Sequence, residues 1–216
     1  MKIMIVLDVE AASSPTGMAD IVARLLAMPG LRRCASSVRV DVPGAFPPGL
    51  GAVLEAWTDP SMERGDVVHS LDALWSTAGI LSAVSVEEFE PVALPPAPIG
   101  KPTPGLRMLS LCQRRAGLTP QAFREYWLGP HAAVAQSFSV ALMAYQQNVV
   151  LECLHGQPVD GIASMHFRSF EHFRERYQDH PKDAARGAAD AARFLDDSRN
   201  GAFTSLTVHR DLSGPS

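Results

Sequence analysis

The sequence predicts an α+β protein in which two ferredoxin-like βαββαβ units in one chain form a pseudo-dimeric α+β barrel. Three observations lead to this prediction. The chain has 216 residues, 46% of them apolar, which is enough for a substantial core. A proline-rich stretch at residues 91–105 divides the chain into halves of similar length, because proline there disfavours both helix and central strand. The two halves then show the same order of strand and helix patterns.

The first half has four strand patterns and two helix patterns. Apolar runs predict strands at residues 2–9, 31–42, 51–57 and 80–89. A helix is predicted over residues 18–28, where apolar side chains recur at helical spacing up to Gly30. A second helix is predicted over residues 62–77, because Asp59 followed by Pro60 is typical of an N-cap and a first helical position.

The second half repeats this order. Strands are predicted at residues 106–114, 142–153, 161–168 and 202–212. Thr119 followed by Pro120 is again typical of a helix start, and the helical pattern continues to about residue 139. Ser169 can cap a last helix that runs to about residue 197 with a break near Pro181.

Each βαββαβ unit has a four-stranded antiparallel sheet with helices on one face. The other face needs cover, and two units in one chain can cover each other sheet against sheet. We therefore expect an N-terminal unit at residues 1–92, a linker at 93–105 and a C-terminal unit at 106–216. The protein is expected to be a monomer with an internal pseudo-dimer, or a homodimer.

Composition and motifs exclude several functional classes. The net charge is −4 and no basic run occurs, so we expect no nucleic-acid partner. No segment approaches the roughly 18 apolar residues of a membrane span, and the N-terminus is more typical of a strand than of a signal peptide, which predicts a cytoplasmic protein. The cysteines at 34, 112 and 153 are far apart, and no HExxH, GxGxxG or Walker pattern occurs. We expect neither a metal nor a nucleotide cofactor.

The segment FREYWLGPHAAVA carries the main candidate site. Its apolar stripe consists of Phe123, Trp127, His131, Val134 and Phe138. Gly129 and Pro130 interrupt this stripe, so we expect one helix to end near Leu128 and another to begin at Pro130. His131 would then lie in a first turn, where free amides and the helix dipole disfavour imidazolium. A neutral imidazole there can act as acid or base, although a histidine on an apolar face is also commonly a core residue.

Three strands offer further candidates. Tyr145 and Gln147 share one strand face, and one of the two faces of that strand is expected to point toward the helix that bears His131. His166 and His209 lie on strands whose side chains alternate between the two faces of the sheet. There they could line a pocket or belong to a hydrogen-bonded barrel interface. The sequence does not give the register that would decide between these alternatives.

The run LSLCQRRAGLTPQAFREYWLGPHAAVA, followed by ALMAYQQNVV, resembles the EthD domain family. The matching positions are Arg114, Arg115, Gly117, Leu118, Thr119, Pro120, Phe123, Tyr126, Trp127 and His131, then Tyr145, Gln147 and Asn148. The first half has neither the Trp nor the His of this motif, and is interpreted as a degenerate copy. One site is therefore expected, not two.

This resemblance implies membership of the dimeric α+β barrel superfamily and a small hydrophobic or aromatic ligand. It implies cofactor-free lyase, isomerase, cyclase or monooxygenase chemistry, with His131 as acid/base and Tyr145 as a hydrogen-bonding hydroxyl in the pocket. Phe123 and Trp127 would form the apolar wall, with Gln147 as a further binding residue. Strand alternation, and not the resemblance, adds His166 and His209 as candidate binding residues. The alternative is a non-catalytic accessory or ligand-sequestering protein. Haem stays open, because some superfamily relatives bind it through a pocket histidine.

Overall fold

One antiparallel sheet closes on itself as a barrel. The computed structural model describes residues 1–42, 50–76, 79–94, 97–137, 142–175, 180–196 and 204–213. In these ranges the first half of the chain contributes β1 (Lys2–Leu7), β2 (Leu31–Arg39), β3 (Ala52–Thr58) and β4 (Ile80–Val92). The second half contributes β5 (Leu106–Cys112), β6 (Leu142–Gly156), β7 (Gly161–Phe167) and β8 (Thr204–Ser213).

The strand order around the barrel is β1-β3-β2-β8-β5-β7-β6-β4. The first half therefore has the order β4-β1-β3-β2, and the second half has the matching order β8-β5-β7-β6. The halves join where β2 pairs with β8 and where β4 pairs with β6, so the second strand of each half meets the last strand of the other. The predicted pseudo-dimeric α+β barrel is thus confirmed.

The helices lie on the outside of the barrel. The first half contains α1 (Val9–Ser13), α2 (Pro15–Leu26) and α3 (Arg64–Leu71), which continues as a 3₁₀ turn (Asp72–Leu74). The second half contains α4 (Pro120–Tyr126), a π-helical turn (Trp127–His131), α5 (Ala132–Ser137), α6 (Phe170–Arg174) and α7 (Pro181–Ala191). No helix in the described part of the chain is long and apolar enough to cross a membrane.

Side-chain caps define several helix starts. The hydroxyl of Ser14 accepts a hydrogen bond from the amide of Gly17 at the start of α2, and Thr119 and Ser169 cap α4 and α6 in the same way. The predicted cap at Asp59 is wrong. Its carboxylate accepts from the amide and hydroxyl of Ser61, which forms a local turn, and α3 begins later at Arg64.

The two outer faces of the barrel are packed differently. In the first half, α2 and α3 bury Ile21, Leu25, Val67 and Leu71 against strand residues such as Ile5. In the second half, the buried side chains divide into two smaller clusters, one around Tyr145 and one around Trp127. The first face therefore has a single core around Ile5, with a separate groove between α2 and the strands β2 and β8, whereas the core of the second face is divided.

The inside of the barrel has an apolar end and a polar end. Its apolar part includes Met4, Val6, Val53, Val84, Leu109, Leu111 and Ile162. The polar part is centred on Arg107, which is 1% exposed and forms a buried ion pair with Glu55. Its guanidinium also donates to Gln146 at 2.6 Å and to Nδ1 of His209 at 2.9 Å. Lys2 binds the other oxygen of Glu55 at 2.8 Å.

These charges determine the protonation of Glu55. Burial by itself would raise its carboxyl pKa, but Arg107 and Lys2 outweigh burial and hold the pKa well below its ordinary value. The ion pair joins a strand of the first half to a strand of the second, since Glu55 lies on β3 and Arg107 on β5. Breaking it would leave an uncompensated charge inside the barrel, which is strongly destabilising.

The proline-rich segment lies alongside the last residues of β8. The amides of Gly100 and Thr103 donate to the carbonyls of Asp211 and His209, at 2.7 and 2.8 Å. Against the prediction that no strand enters this stretch, β4 includes Pro91 and ends at Val92, with a shift of register after Phe89 that accommodates the proline. The division into units at 1–92 and 106–216, with a linker at 93–105, stays a proposal.

We predict that His209 makes the fold acid-sensitive. Burial, reinforced by Arg107, lowers the pKa of His209 to about 3, whereas an unfolded histidine has a pKa of about 6.5. Below pH 6.5 the unfolded chain binds a proton that the folded chain does not, so stability falls as the pH falls from 6.5 toward 3. The slope for one proton approaches about 1.4 kcal/mol per pH unit.

Urea unfolding of wild type and His209→Gln at pH 7 and pH 5 tests this prediction. The loss of unfolding free energy between the two pH values should be smaller in the variant. His69→Gln is the matched control, because the side chain of His69 is 88% exposed and its replacement should leave the loss unchanged. An identical pH dependence in wild type and His209→Gln would contradict the assignment.

Candidate functional site

The Gly-Pro joint does not break the helix. Residues 127–131 form a π-helical turn between α4 and α5, and Tyr126 and Ala132 on either side have helical backbone angles. Pro130 lacks an amide and would clash with the carbonyl of Tyr126 in a regular α-helix, and the wider turn relieves both conflicts. The predicted helix end near Leu128 and the placement of His131 at a helix N-terminus are therefore wrong. Phe138 lies outside the described residues.

His131 is paired with a carboxylate from α7. Its Nδ1 is 2.7 Å from Oδ2 of Asp190, and the other carboxylate oxygen accepts a hydrogen bond from the Tyr126 hydroxyl at 2.7 Å. Asp190 is 7% exposed. Because a carboxylate only accepts, Nδ1 of a neutral His131 carries the proton, and Nε2 keeps the lone pair. The dyad thus leaves Nε2 as the ring nitrogen available to a bound molecule.

Burial, opposed in part by the hydrogen bond and charge of Asp190, lowers the pKa of His131 below its ordinary value. The expected neutral imidazole at pH 7 therefore fits the structure, but for a different physical reason. Desolvation disfavours the imidazolium here, since His131 does not lie at a helix N-terminus.

Aromatic side chains surround the imidazole. Its ring centroid is 4.7 Å from that of Phe194 and 6.4 Å from that of Tyr145. Phe123 packs on Trp127 at 5.3 Å and on Phe194 at 5.8 Å. Trp127 also donates from Nε1 to the Tyr145 hydroxyl at 3.3 Å. His131, Tyr145, Phe123 and Trp127, which the sequence singles out, therefore lie together.

A cavity of about 310 Å³ lies between the sheet and these helices. Its floor consists of Met108, Ser110, Cys112, Ala163, Met165 and Thr204 from β5, β7 and β8. Its walls include Trp127, His131 and Val134 on one side and the small residues Gly187, Ala188 and Ala191 of α7 on the other. The cavity is mostly apolar, with the imidazole as a polar group in its wall, which is typical of small-molecule sites.

Phe123 and Tyr145 pack against Trp127 and His131 without lining the cavity, and the other predicted binding residues lie elsewhere. Gln147 faces the same side of the sheet as Tyr145, but its amide donates to the carbonyl of Trp127 at 2.6 Å and so holds the π-helical turn. His166 and His209 lie on the opposite face, inside the barrel, where His166 pairs with the carbonyl of Pro104 and His209 with Arg107. The structure does not bring these two histidines to the cavity of His131, and their roles in binding stay predictions.

Asp190 and Phe194 are site residues that the sequence analysis missed. Asp190 is the partner of His131, and the buried ring of Phe194 contacts Phe123, Tyr126 and His131. The sequence contains a helical spacing that relates these two residues. Asp190 stands four residues before Phe194 in an alanine-rich run, GAADAARF. Nothing in the sequence connects that run to His131, 59 residues earlier.

Haem is the cofactor that the superfamily resemblance leaves open. A His131 whose Nδ1 is held by a carboxylate has one feature of an axial ligand. However, the described residues that line the cavity include no Lys or Arg to pair with the propionates, and the exposed charge at its edge, Asp183, is acidic. The residues present do not fit haem. Among the described residues, no group of three or more His, Cys, Asp or Glu side chains could hold a metal ion.

We predict that Asp190 and Tyr126 shift the pKa of His131 in opposite directions. Asp190→Asn removes the negative charge that stabilises the imidazolium, so the pKa of His131 should fall further. Tyr126→Phe removes a donor that competes for the charge of Asp190, so the pKa should rise slightly. The measurement is an NMR titration of the His131 ring signal. Equal shifts in both variants would contradict the shared-carboxylate arrangement.

Comparison with known proteins agrees with the sequence resemblance. Residues 115–198 match the EthD domain family, a range that includes His131, Tyr145 and Asp190. No match is found among curated proteins.

Solved structures share the barrel at low sequence identity. An anthrone oxidase-like protein superposes with a TM-score of 0.64 at 12% identity, covering 98% of this chain and 93% of its own. A candidate monooxygenase from Fusobacterium nucleatum subsp. nucleatum gives 0.53 at 6% identity, covering 100% and 96%. A variant of chlorite dismutase from Candidatus Nitrospira defluvii gives 0.50 at 12% identity, covering 98% and 91%. At these identities the likeness shows the fold alone.

The fold and the matched segment together show which known proteins this chain resembles. The barrel closes as the resemblance predicts, and the motif residues Trp127 and His131 lie in the matched range at the cavity. The resemblance to the EthD domain is therefore confirmed over residues 115–198, within a chain that has the α+β barrel fold of the anthrone oxidase-like protein.

Proposed function

We propose that this protein binds a small hydrophobic or aromatic molecule in the cavity of the second half and transfers a proton to or from it through His131, without a cofactor. The observation that carries the proposal is the His131–Asp190 pair in the wall of a mostly apolar cavity. A histidine base that a carboxylate orients beside an apolar pocket is a common arrangement for proton abstraction.

The geometry supports a defined role for each ring nitrogen. Asp190 holds the proton on Nδ1, so Nε2 can take a proton from a C–H or O–H group of the ligand. The resulting imidazolium is stabilised by Asp190, while the conjugate enolate or phenolate lies in the cavity. Tyr145, which accepts from Trp127 and lies beside His131, supports the imidazole from the sheet.

The lowered pKa of His131 supports the role of a base. A histidine that is neutral at pH 7 accepts a proton without first losing one, and burial is the main cause of that state here. The chemistry includes lyase, isomerase, cyclase and cofactor-independent monooxygenase reactions, all of which begin from a stabilised carbanion or phenolate. The names of the anthrone oxidase-like neighbour and the candidate monooxygenase favour the last class, with O₂ as the oxidant.

A second candidate function is sequestration or delivery of the same ligand without turnover. The observation that favours it is the mostly apolar lining of the cavity, with α7 on one wall. In that case His131 and Asp190 orient the ligand by hydrogen bonding and no bond is broken.

We predict that His131→Gln separates these functions. Ligands are identified by native mass spectrometry of the wild type after incubation with a metabolite extract of its host, and turnover of each is followed by chromatography. If His131 is the acid/base, the variant should lose about 10²- to 10⁴-fold in rate, with the ligand dissociation constant changed only a few-fold.

The matched control is His69→Gln, since His69 is exposed and should affect neither quantity. Recovery of an unaltered ligand from the wild type after long incubation would support sequestration. Near-normal turnover in His131→Gln would exclude the acid/base role, and a joint loss of binding, turnover and thermal stability would make His131 a structural residue.

A further inference from the structure

We propose that Ser110 and Thr204 form a second polar anchor in the cavity, which binds an oxygen at the end of the ligand remote from His131. This inference rests on the proposed function and makes its ligand class more specific. The ligand would be an elongated, mostly apolar molecule with a hydroxyl or carbonyl oxygen at each end.

The two hydroxyls form one polar spot on the cavity floor. Oγ of Ser110 and Oγ1 of Thr204 are 2.9 Å apart, on neighbouring strands where the two residues are directly opposite. A hydroxyl has one proton and two lone pairs, so the bond to Thr204 leaves Ser110 able to bind a further oxygen. The neighbouring floor residues Met108, Ala163 and Met165 are apolar. A ligand oxygen can therefore form a hydrogen bond with Ser110 at the Ser110–Thr204 pair.

The first half of the chain gives an internal comparison. When β1 is matched to β5 at their last residues, Leu7 and Cys112, Ile5 corresponds to Ser110. Ile5 is opposite Leu54 on β3 and Ala83 on β4. Ser110 is opposite Ala163 on β7 and Thr204 on β8. Three matched positions therefore carry different residues in the two halves. The first half has Ile, Leu and Ala where the second half has Ser, Ala and Thr.

These differences coincide with the cavity. Ile5, Leu54 and Ala83 are buried in the main core cluster of the first half. Ser110, Ala163 and Thr204 all line the cavity of the second half. A cross-strand Ser–Thr pair could also serve sheet stability alone. Sheet stability alone would not require the small Ala163 at the position that corresponds to Leu54 in the first half. A ligand site requires both the space that Ala163 leaves and the polar groups.

The anchor and the imidazole lie over different strands of the sheet. His131 contacts Tyr145, which lies on β6, while Ser110 lies on β5, two strands away across β7. Neighbouring strands are about 4.8 Å apart, so about 10 Å separates the sheet positions under the two polar sites. A ligand that reaches both is therefore elongated, with oxygens at its two ends joined by an apolar body.

Two rigid probes test the anchor by fluorescence titration of the full-length protein: para,para′-dihydroxybiphenyl, with a hydroxyl at both ends, and para-hydroxybiphenyl, with one. The wild type should bind the dihydroxy probe about fivefold to tenfold more tightly, the effect of one additional hydrogen bond. The Ser110→Ala/Thr204→Val double variant should lose this preference and bind the monohydroxy probe within twofold of the wild type. Ser85→Ala, at a buried serine of β4 that does not line this cavity, is the control.

A variant that fills the cavity tests whether the two probes bind there. Ala163→Leu restores the side chain of the matched position Leu54 and should weaken both probes at least tenfold, with circular dichroism confirming the fold. Equal binding of the two probes by the wild type, or a preference that persists in the double variant, would overturn the anchor and leave the proposed function intact. Failure of both probes to bind the wild type would contradict both.

Discussion

The buried ion pair between Arg107 and Glu55 is the contact on which the arrangement of the barrel depends. Arg107 comes from the second half and Glu55 from the first, and both side chains are 1% exposed. Removing two charges from water costs several kcal/mol for each ion, which is offset only when the partners meet with good geometry. Lys2, Gln146 and His209 complete the network around them. The pair is satisfied only when the two sheets face each other in this register, and this leaves both outer faces for helices.

The outer faces then take different forms on the same frame. In the first half, large aliphatic side chains such as Ile5 and Leu54 meet α2 and α3, and the face is filled at these positions. In the second half, the matched positions carry Ser110 and Ala163, and a cavity of about 310 Å³ lies beneath the helices. The described part of the chain thus has a cavity with an imidazole in its wall and, at the matched positions of the first half, a packed core. The difference arises from side-chain volume in a shared backbone register, since packed interiors leave few voids unless the sequence provides them.

The π-helical turn shows where local sequence rules reach their limit. The aromatic stripe predicts correctly that Phe123, Trp127 and His131 share a side, and an apolar environment for the imidazole follows. The predicted break at Gly129 and Pro130 is wrong, because a break is only one way to accommodate a proline. Here Gln147, from a strand, supplies a hydrogen bond to the carbonyl of Trp127 at the start of the wider turn. That donor comes from 20 residues along the chain, so local propensity could not include it.

The sequence by itself determined the order of strands and helices, the two-unit barrel and the stripe that carries His131, because these depend on periodicity and on local turn chemistry. It also determined that His166 and Met165 face opposite sides of β7, since side chains alternate along a strand. Only the tertiary structure decided which side became the interior. Closure around Arg107 turned His166 and His209 inward, away from the cavity. It was also tertiary packing that brought Asp190 to His131, because pairing across 59 residues depends on how the helices lie on the sheet and leaves no periodic signal.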